Sequence, residues 1–128
     1  MAATLNAIGI VSKDIERSLK FYAMLGVATP RFAKDEDHFE ATLENGIRLM
    51  WDTVELMKQL TPEWVPPTGH RLGLAFLCDD ASDVDRVYHS VVDAGFAGVK
   101  EPWDAFWGQR YAQVKDPDDN VIDLFAPI

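Results

Sequence analysis

One order of sequence patterns runs through this chain twice, and that repetition constrains the fold more than any single motif. Leu5 to Val11 is an apolar run with β-branched residues, bounded by polar Ser12 and Lys13, the pattern of a buried strand. Asp14 then offers an N-cap, Ile15, Leu19, Tyr22 and Leu25 recur at helical spacing, and Gly26 stands where a left-handed residue ends a helix. Val27 to Ala33, His38 to Leu43 and Ile47 to Trp51 read as three strands, the last two joined across Glu44-Asn45-Gly46, whose Asn-Gly pair favours a hairpin turn. The first half is therefore β-α-β-β-β, followed by a short helix over Thr53 to Leu60.

Thr61 to Gly69, carrying Pro62, Pro66 and Pro67, is linker-like, and after it the order starts again. Arg71 to Cys78 reads as a strand. Asp83 is placed to cap a helix whose Val84, Val87, Val91 and Ala94 share one face and which Gly95 ends. A strand near Gly98 to Glu101, an aromatic loop from Trp103 to Trp107, a strand over Gln109 to Lys115, a turn over Asp116 to Asn120 and a strand over Val121 to Phe125 complete the second β-α-β-β-β. A chain of 128 residues is short for two separately cored domains, and each half alone leaves a sheet face bare. The expectation is one α+β domain spanning 1–128. It consists of two βαβββ modules, about 1–60 and 70–128 with linker 61–69, whose curved sheets surround a shared cavity.

Composition narrows the partners. A chain that is 48% hydrophobic and 26% charged is globular rather than disordered. The formal charge of -9 repels phosphate backbones, so no nucleic-acid partner is expected. No apolar run approaches the roughly 20 residues of a membrane span, and no basic stretch precedes an apolar one at the N-terminus, so no membrane partner is expected either. The single cysteine, Cys78, cannot form a disulfide within the chain, which points to the cytoplasm.

Two segments carry a family resemblance. Ile8-Gly9-Ile10-Val11-Ser12-Lys13-Asp14 runs into Ser18-Leu19-Lys20-Phe21-Tyr22, and Lys115-Asp116-Pro117-Asp118-Asp119-Asn120 runs into Val121-Ile122-Asp123-Leu124. Placed on a duplicated β-α-β-β-β order, these resemble the vicinal oxygen chelate superfamily. That group comprises glyoxalase I, extradiol dioxygenases, fosfomycin-resistance enzymes and bleomycin-resistance proteins. The second segment is also good turn chemistry, because proline presets φ and Asp or Asn side chains bond their own backbone. The superfamily usually has glycine where this chain has Asp119.

The resemblance implies four positions for the ligands of a divalent metal, one on the first and one on the last strand of each module. Here they fall on Ala7, Arg48, Gly73 and Asp123. One carboxylate among four positions does not hold a divalent ion tightly, so no metal and no cofactor is expected. Arg48 and Asp123 are a cation and a carboxylate that can pair in the metal's place if both reach one cavity. Alternation along the strand puts Met50 on the Arg48 face, with Ile47, Leu49 and Trp51 on the other.

Trp103, Phe106, Trp107 and Tyr111 place four aromatics within nine residues, beside Gln109. They read either as a plug at a sheet edge or dimer contact, or as a stacking wall for a planar or cationic ligand. Along this strand the Gln109, Tyr111, Gln113 face is the one taken to meet ligand or solvent. His38, His70 and His89 read as surface or loop histidines.

The resemblance then implies a homodimer of the bleomycin-resistance kind that binds or sequesters a small aromatic or cationic compound through Arg48, Met50, Trp103, Phe106, Trp107, Gln109, Tyr111 and Asp123, with no catalytic residue assigned. The alternative is a lyase, isomerase or dioxygenase of the same superfamily with a relocated or degenerate metal site. A third reading is a subunit whose cavity is filled by its own side chains.

Overall fold

A computed structural model describes residues 2–128. The chain divides into two compact units, 1–67 and 68–128, with the boundary at the end of the proline-rich stretch. Both are mixed α+β.

The first unit runs β1 (Ala7–Ser12), α1 (Ile15–Met24), β2 (His38–Thr42), β3 (Arg48–Thr53) and α2 (Val54–Leu60). Its sheet has the order β1-β3-β2, with β1 parallel and β2 antiparallel to β3. Register puts Ile8, Ile10, Phe39, Ala41, Leu49 and Trp51 on one face. Helix α1 meets that face at Trp51, whose Nε1 donates to Ser18 Oγ at 3.1 Å and whose ring meets Tyr22 edge-on. The caps are those expected from sequence. Asp14 accepts from the Arg17 backbone N–H, and Gly26 follows the helix at φ 97°.

One expected strand is absent. Residues 27–33 form no ladder, because Val27 N–H is tied back to the Tyr22 carbonyl, Thr29 N–H turns onto the Val27 carbonyl, and Pro30 has no N–H to give. Phe32 instead stacks its ring on Phe39 of β2 at 5.9 Å, so the segment is anchored by a side chain. The first module is therefore β-α-β-β followed by a helix.

The second unit is a complete β-α-β-β-β: β4 (Leu74–Leu77), α3 (Ala81–Asp93), β5 (Ala97–Ala105), β6 (Gln109–Lys115) and β7 (Val121–Pro127), in the sheet order β4-β7-β6-β5. The strand β4 runs parallel to β7, and the other pairs are antiparallel. Ala112, Val114, Ile122, Leu124 and Ala126 are buried on the face that carries α3. On the same face Arg110 makes two hydrogen bonds to the Asp85 carboxylate of α3, at 2.8 and 3.0 Å.

Two boundaries differ from expectation. Asp80, not Asp83, caps α3, its Oδ1 accepting from Asp83 N–H at 2.9 Å and from Ser82 Oγ at 2.7 Å. Strand β5 also runs through Trp103 to Ala105, with register shifts between Gly98 and Trp103. The aromatic loop thus shrinks to Phe106-Trp107-Gly108, closed by Gly108 N–H on the Ala105 carbonyl with Gly108 at φ 90°.

The β6–β7 turn hangs on buried Asp116, whose Oδ1 accepts from the Asp118 and Asn120 backbone N–H groups and whose Oδ2 accepts from Asn120 Nδ2. Asp119 adopts φ 66° there, the left-handed conformation that a glycine takes most easily. Among the described residues, no helix is long and apolar enough to cross a membrane.

Candidate functional site

In each module the sheet has a second face, opposite the buried apolar residues, and the two such faces carry different chemistry. On the second module, register aligns Trp103, Tyr111, Phe125 and Leu77 across the four strands, with Gln113, Asp123 and Ala75 in the next row. Gln113 Nε2 bridges the row, donating to Tyr111 Oη at 3.0 Å and to Asp123 Oδ1 at 2.9 Å. Burial, and then the Asp123 carboxylate that accepts from the phenol, push the Tyr111 pKa up to about 12. Tyr111 is therefore a neutral hydrogen-bonding group across the physiological range.

Trp107, at the hairpin tip, joins the aromatics. Its ring meets Trp103, Phe106 and Tyr111 edge-on, with centroids at 5.7, 5.0 and 5.2 Å. Its Nε1 donates to Gln109 Oε1 at 2.7 Å. Trp107 is 49% exposed and Phe106 83%, so the wall is open at the tip. Lys100 Nζ sits 4.9 Å from the Trp103 ring centroid, a cation on an aromatic face. Trp103 Nε1 is buried and has no hydrogen-bond partner among the described residues.

Six of the eight residues singled out in the sequence thus lie in this module. Trp103, Trp107 and Tyr111 form its aromatic angle, Gln109 braces Trp107, Asp123 stands beside Tyr111, and Phe106 meets Trp107 edge-on. Gln113, named in the sequence only as part of the strand's polar face, is the bridging residue.

Arg48 and Met50 lie on the first module, where sequence reasoning missed a network. The Nδ1 of His38 is 2.5 Å from Asp52 Oδ1, and its Nε2 is 2.7 Å from Glu40 Oε2. Arg48 reaches Glu40 Oε1 at 2.9 Å, Asn6 Oδ1 through Nε and Nη2, and Met50 Sδ at 3.7 Å. His38 is exposed, as expected, but it is held between two carboxylates. The available signal was the hairpin itself, because counting outward from the Leu43–Ile47 closure sets His38 opposite Asp52.

The donor set at the four superfamily metal positions does not fit a divalent ion. Ala7 pairs with Arg48 across β1 and β3, and neither is a metal ligand by side chain. In the second module Ala75, not Gly73, is the neighbour of Asp123 across β4 and β7, and this correction leaves Asp123 as the one donor. Among the described residues, no group of three or more His, Cys, Asp or Glu side chains is placed to hold a metal ion.

The comparisons agree on the fold. Residues 4–124 match the family described as the Glyoxalase/Bleomycin resistance protein/Dioxygenase superfamily. No curated protein matches the sequence. Among solved structures, a glyoxalase-related enzyme from Fulvimarina pelagi is similar at TM-score 0.83 and 19% identity, covering 98% of this chain and 88% of that one. A hypothetical protein from S. aureus is similar at TM-score 0.81 and 18% identity, covering 98% and 95%. A glyoxalase/bleomycin resistance protein/dioxygenase family enzyme from Burkholderia phytofirmans PsJN is similar at TM-score 0.79 and 20% identity, covering 98% and 100%.

Proposed function

The chain belongs to the glyoxalase/bleomycin resistance protein/dioxygenase superfamily, and from that premise we propose that it binds and sequesters a small planar aromatic or cationic compound without a divalent metal. The observation that carries this reading is the open aromatic angle of Trp103, Trp107 and Tyr111 beside the Gln113–Asp123 pair. Ring faces stack on planar ligands and attract cations, and a few fixed polar groups set orientation. Lys100 over Trp103 is an internal instance of that attraction. The formal charge of -9 adds a field that draws cations in. We further propose that the protein works in the cytoplasm as a homodimer, which a solution mass measurement tests.

The test of binding is quenching of tryptophan emission by a panel of planar aromatic cations, in wild type and Trp107→Ala. The expected result is saturable binding that weakens by about tenfold or more in the variant, the scale of losing one well-placed aromatic contact. No saturable binding, or equal binding by both proteins, overturns the reading. So does stoichiometric metal in protein purified without an affinity tag, which moves the superfamily's metal-dependent enzymes to first place.

A further inference from the structure

We propose that Asp52, His38, Glu40 and Arg48 form a proton-operated latch between β2 and β3, closed while His38 carries a proton on each ring nitrogen and opened when it loses one. Both ring nitrogens face carboxylate oxygens, at 2.5 Å for Asp52 and 2.7 Å for Glu40. Ionised carboxylates only accept, so a ring that satisfies both must donate twice and be an imidazolium. A neutral ring has one N–H. Its other nitrogen then points a lone pair at a carboxylate, and one of the two contacts gives way.

Exposure decides which contact that is. The Asp52 side chain is 12% exposed and the Glu40 side chain 39%, so Glu40 is the carboxylate that water can take over. Glu40 also carries the Arg48 guanidinium at 2.9 Å, so the change reaches across the sheet. With the imidazolium, the four charges cancel, and without it the cluster is an anion.

The charges that act on His38 are Asp52 and Glu40, and Glu55 and Lys58 of α2, which packs against β1 and β3, are not among them. From β3, Asp52 and Arg48 face the cluster, and from β2, Glu40. From β1, Gly9 and Val11 lie opposite Met50 and Asp52 and carry no charge. Asn6 holds the far side of Arg48, and Asp37, next to His38 in the chain, accepts from Thr53 Oγ1. In keeping with this, the Asp52 and then the Glu40 hydrogen bonds hold the His38 pKa above the usual 6.5. The Glu40 carboxyl is held below its ordinary range by His38 first and Arg48 second.

The stabilisation from His38 is complete below its unfolded value of 6.5 and is lost as pH rises through the raised folded value. That from Glu40 is present above 4.5 and is lost as pH falls through the lowered one. The latch is closed between those two transitions.

Ring-carbon NMR of labelled histidine, followed from about pH 5 to 9 with the Glu40 carboxyl carbon in the same samples, tests the latch in wild type, Asp52→Asn and Glu40→Gln. The expected result is a His38 midpoint above 6.5 that falls in each variant by on the order of half a unit to one unit. In wild type, the Glu40 carbon, whose own titration lies below this range, also shifts at the His38 midpoint. A midpoint at or below 6.5, or one indifferent to both substitutions, overturns the proposal. Glu40 is the more exposed position, so Glu40→Gln carries the test if Asp52→Asn disturbs folding.

Discussion

Replacing Ser18 by alanine measures how the first module holds α1 on its sheet, and the same replacement at Ser90 supplies the reference. Ser18 and Trp51 are both 0% exposed, and Trp51 Nε1 donates to Ser18 Oγ at 3.1 Å. Alanine at 18 leaves that N–H without an acceptor where water does not reach, at a cost of about 1–3 kcal/mol. Alanine's better helix propensity returns roughly 0.5 kcal/mol. The net expectation for Ser18→Ala is a loss of about 1–2 kcal/mol, or roughly 3–10 °C in Tm for a chain of this size. Ser90 lies exposed on α3, so only the propensity difference operates there and Ser90→Ala gains about 0.5 kcal/mol. Far-UV circular dichroism melts and urea titrations read both. Opposite signs are the signature of a buried donor deprived of its acceptor. Equal effects at the two positions would refute the argument, because the change at 18 would then be nothing more than helix propensity.

Two further outcomes follow from particular residues. Asp119→Gly relieves a left-handed φ of 66° and should raise the urea midpoint by an amount equivalent to about 0.5 kcal/mol; a lower midpoint would mean that the Asp119 side chain holds the turn. Asp123→Asn should bring the Tyr111 midpoint part of the way from about 12 towards 10, read by phenolate absorbance, because burial is the larger cause and remains. In wild type the stability that Tyr111 contributes is whole below pH 10 and fades as pH rises towards about 12; a midpoint unmoved in the variant removes Asp123 from the account.

What could be read from sequence was what local chemistry decides. Asp14 and Gly26 bracket α1 because a side-chain acceptor and a left-handed residue are short-range requirements. The β6 boundaries and the Asp116 turn were legible for the same reason. Asp83 was misread as a cap because the apolar periodicity begins at Val84, whereas the cap three residues earlier is identified by its bond to the Asp83 N–H.

The segment 27–33 has strand-like composition, but whether a ladder forms depends on its N–H groups, and those of Val27 and Thr29 turn back locally while Pro30 has none. The partners of His38 were missed for a longer-range reason. Its partner Asp52 is fourteen residues away, and only the hairpin register brings them together. The aromatic cluster was visible as composition, but the role of Gln113 needed the cross-strand pairing with Asp123.

The two faces differ in what they leave for a ligand. On the first, each charged group already has an opposite partner: Asp52 and Glu40 flank His38, and Arg48 is divided between Glu40 and Asn6. A ligand there must break an ion pair to make its own, and an exchange of partially exposed pairs yields little net free energy. On the second, the Trp107 ring is half open to solvent. A ligand that covers the Trp107 ring breaks no ion pair and adds apolar burial at about 25 cal/mol per Å². That asymmetry, more than the overall acidity of the chain, is why the proposed ligand belongs with the second module and the proton-operated latch with the first.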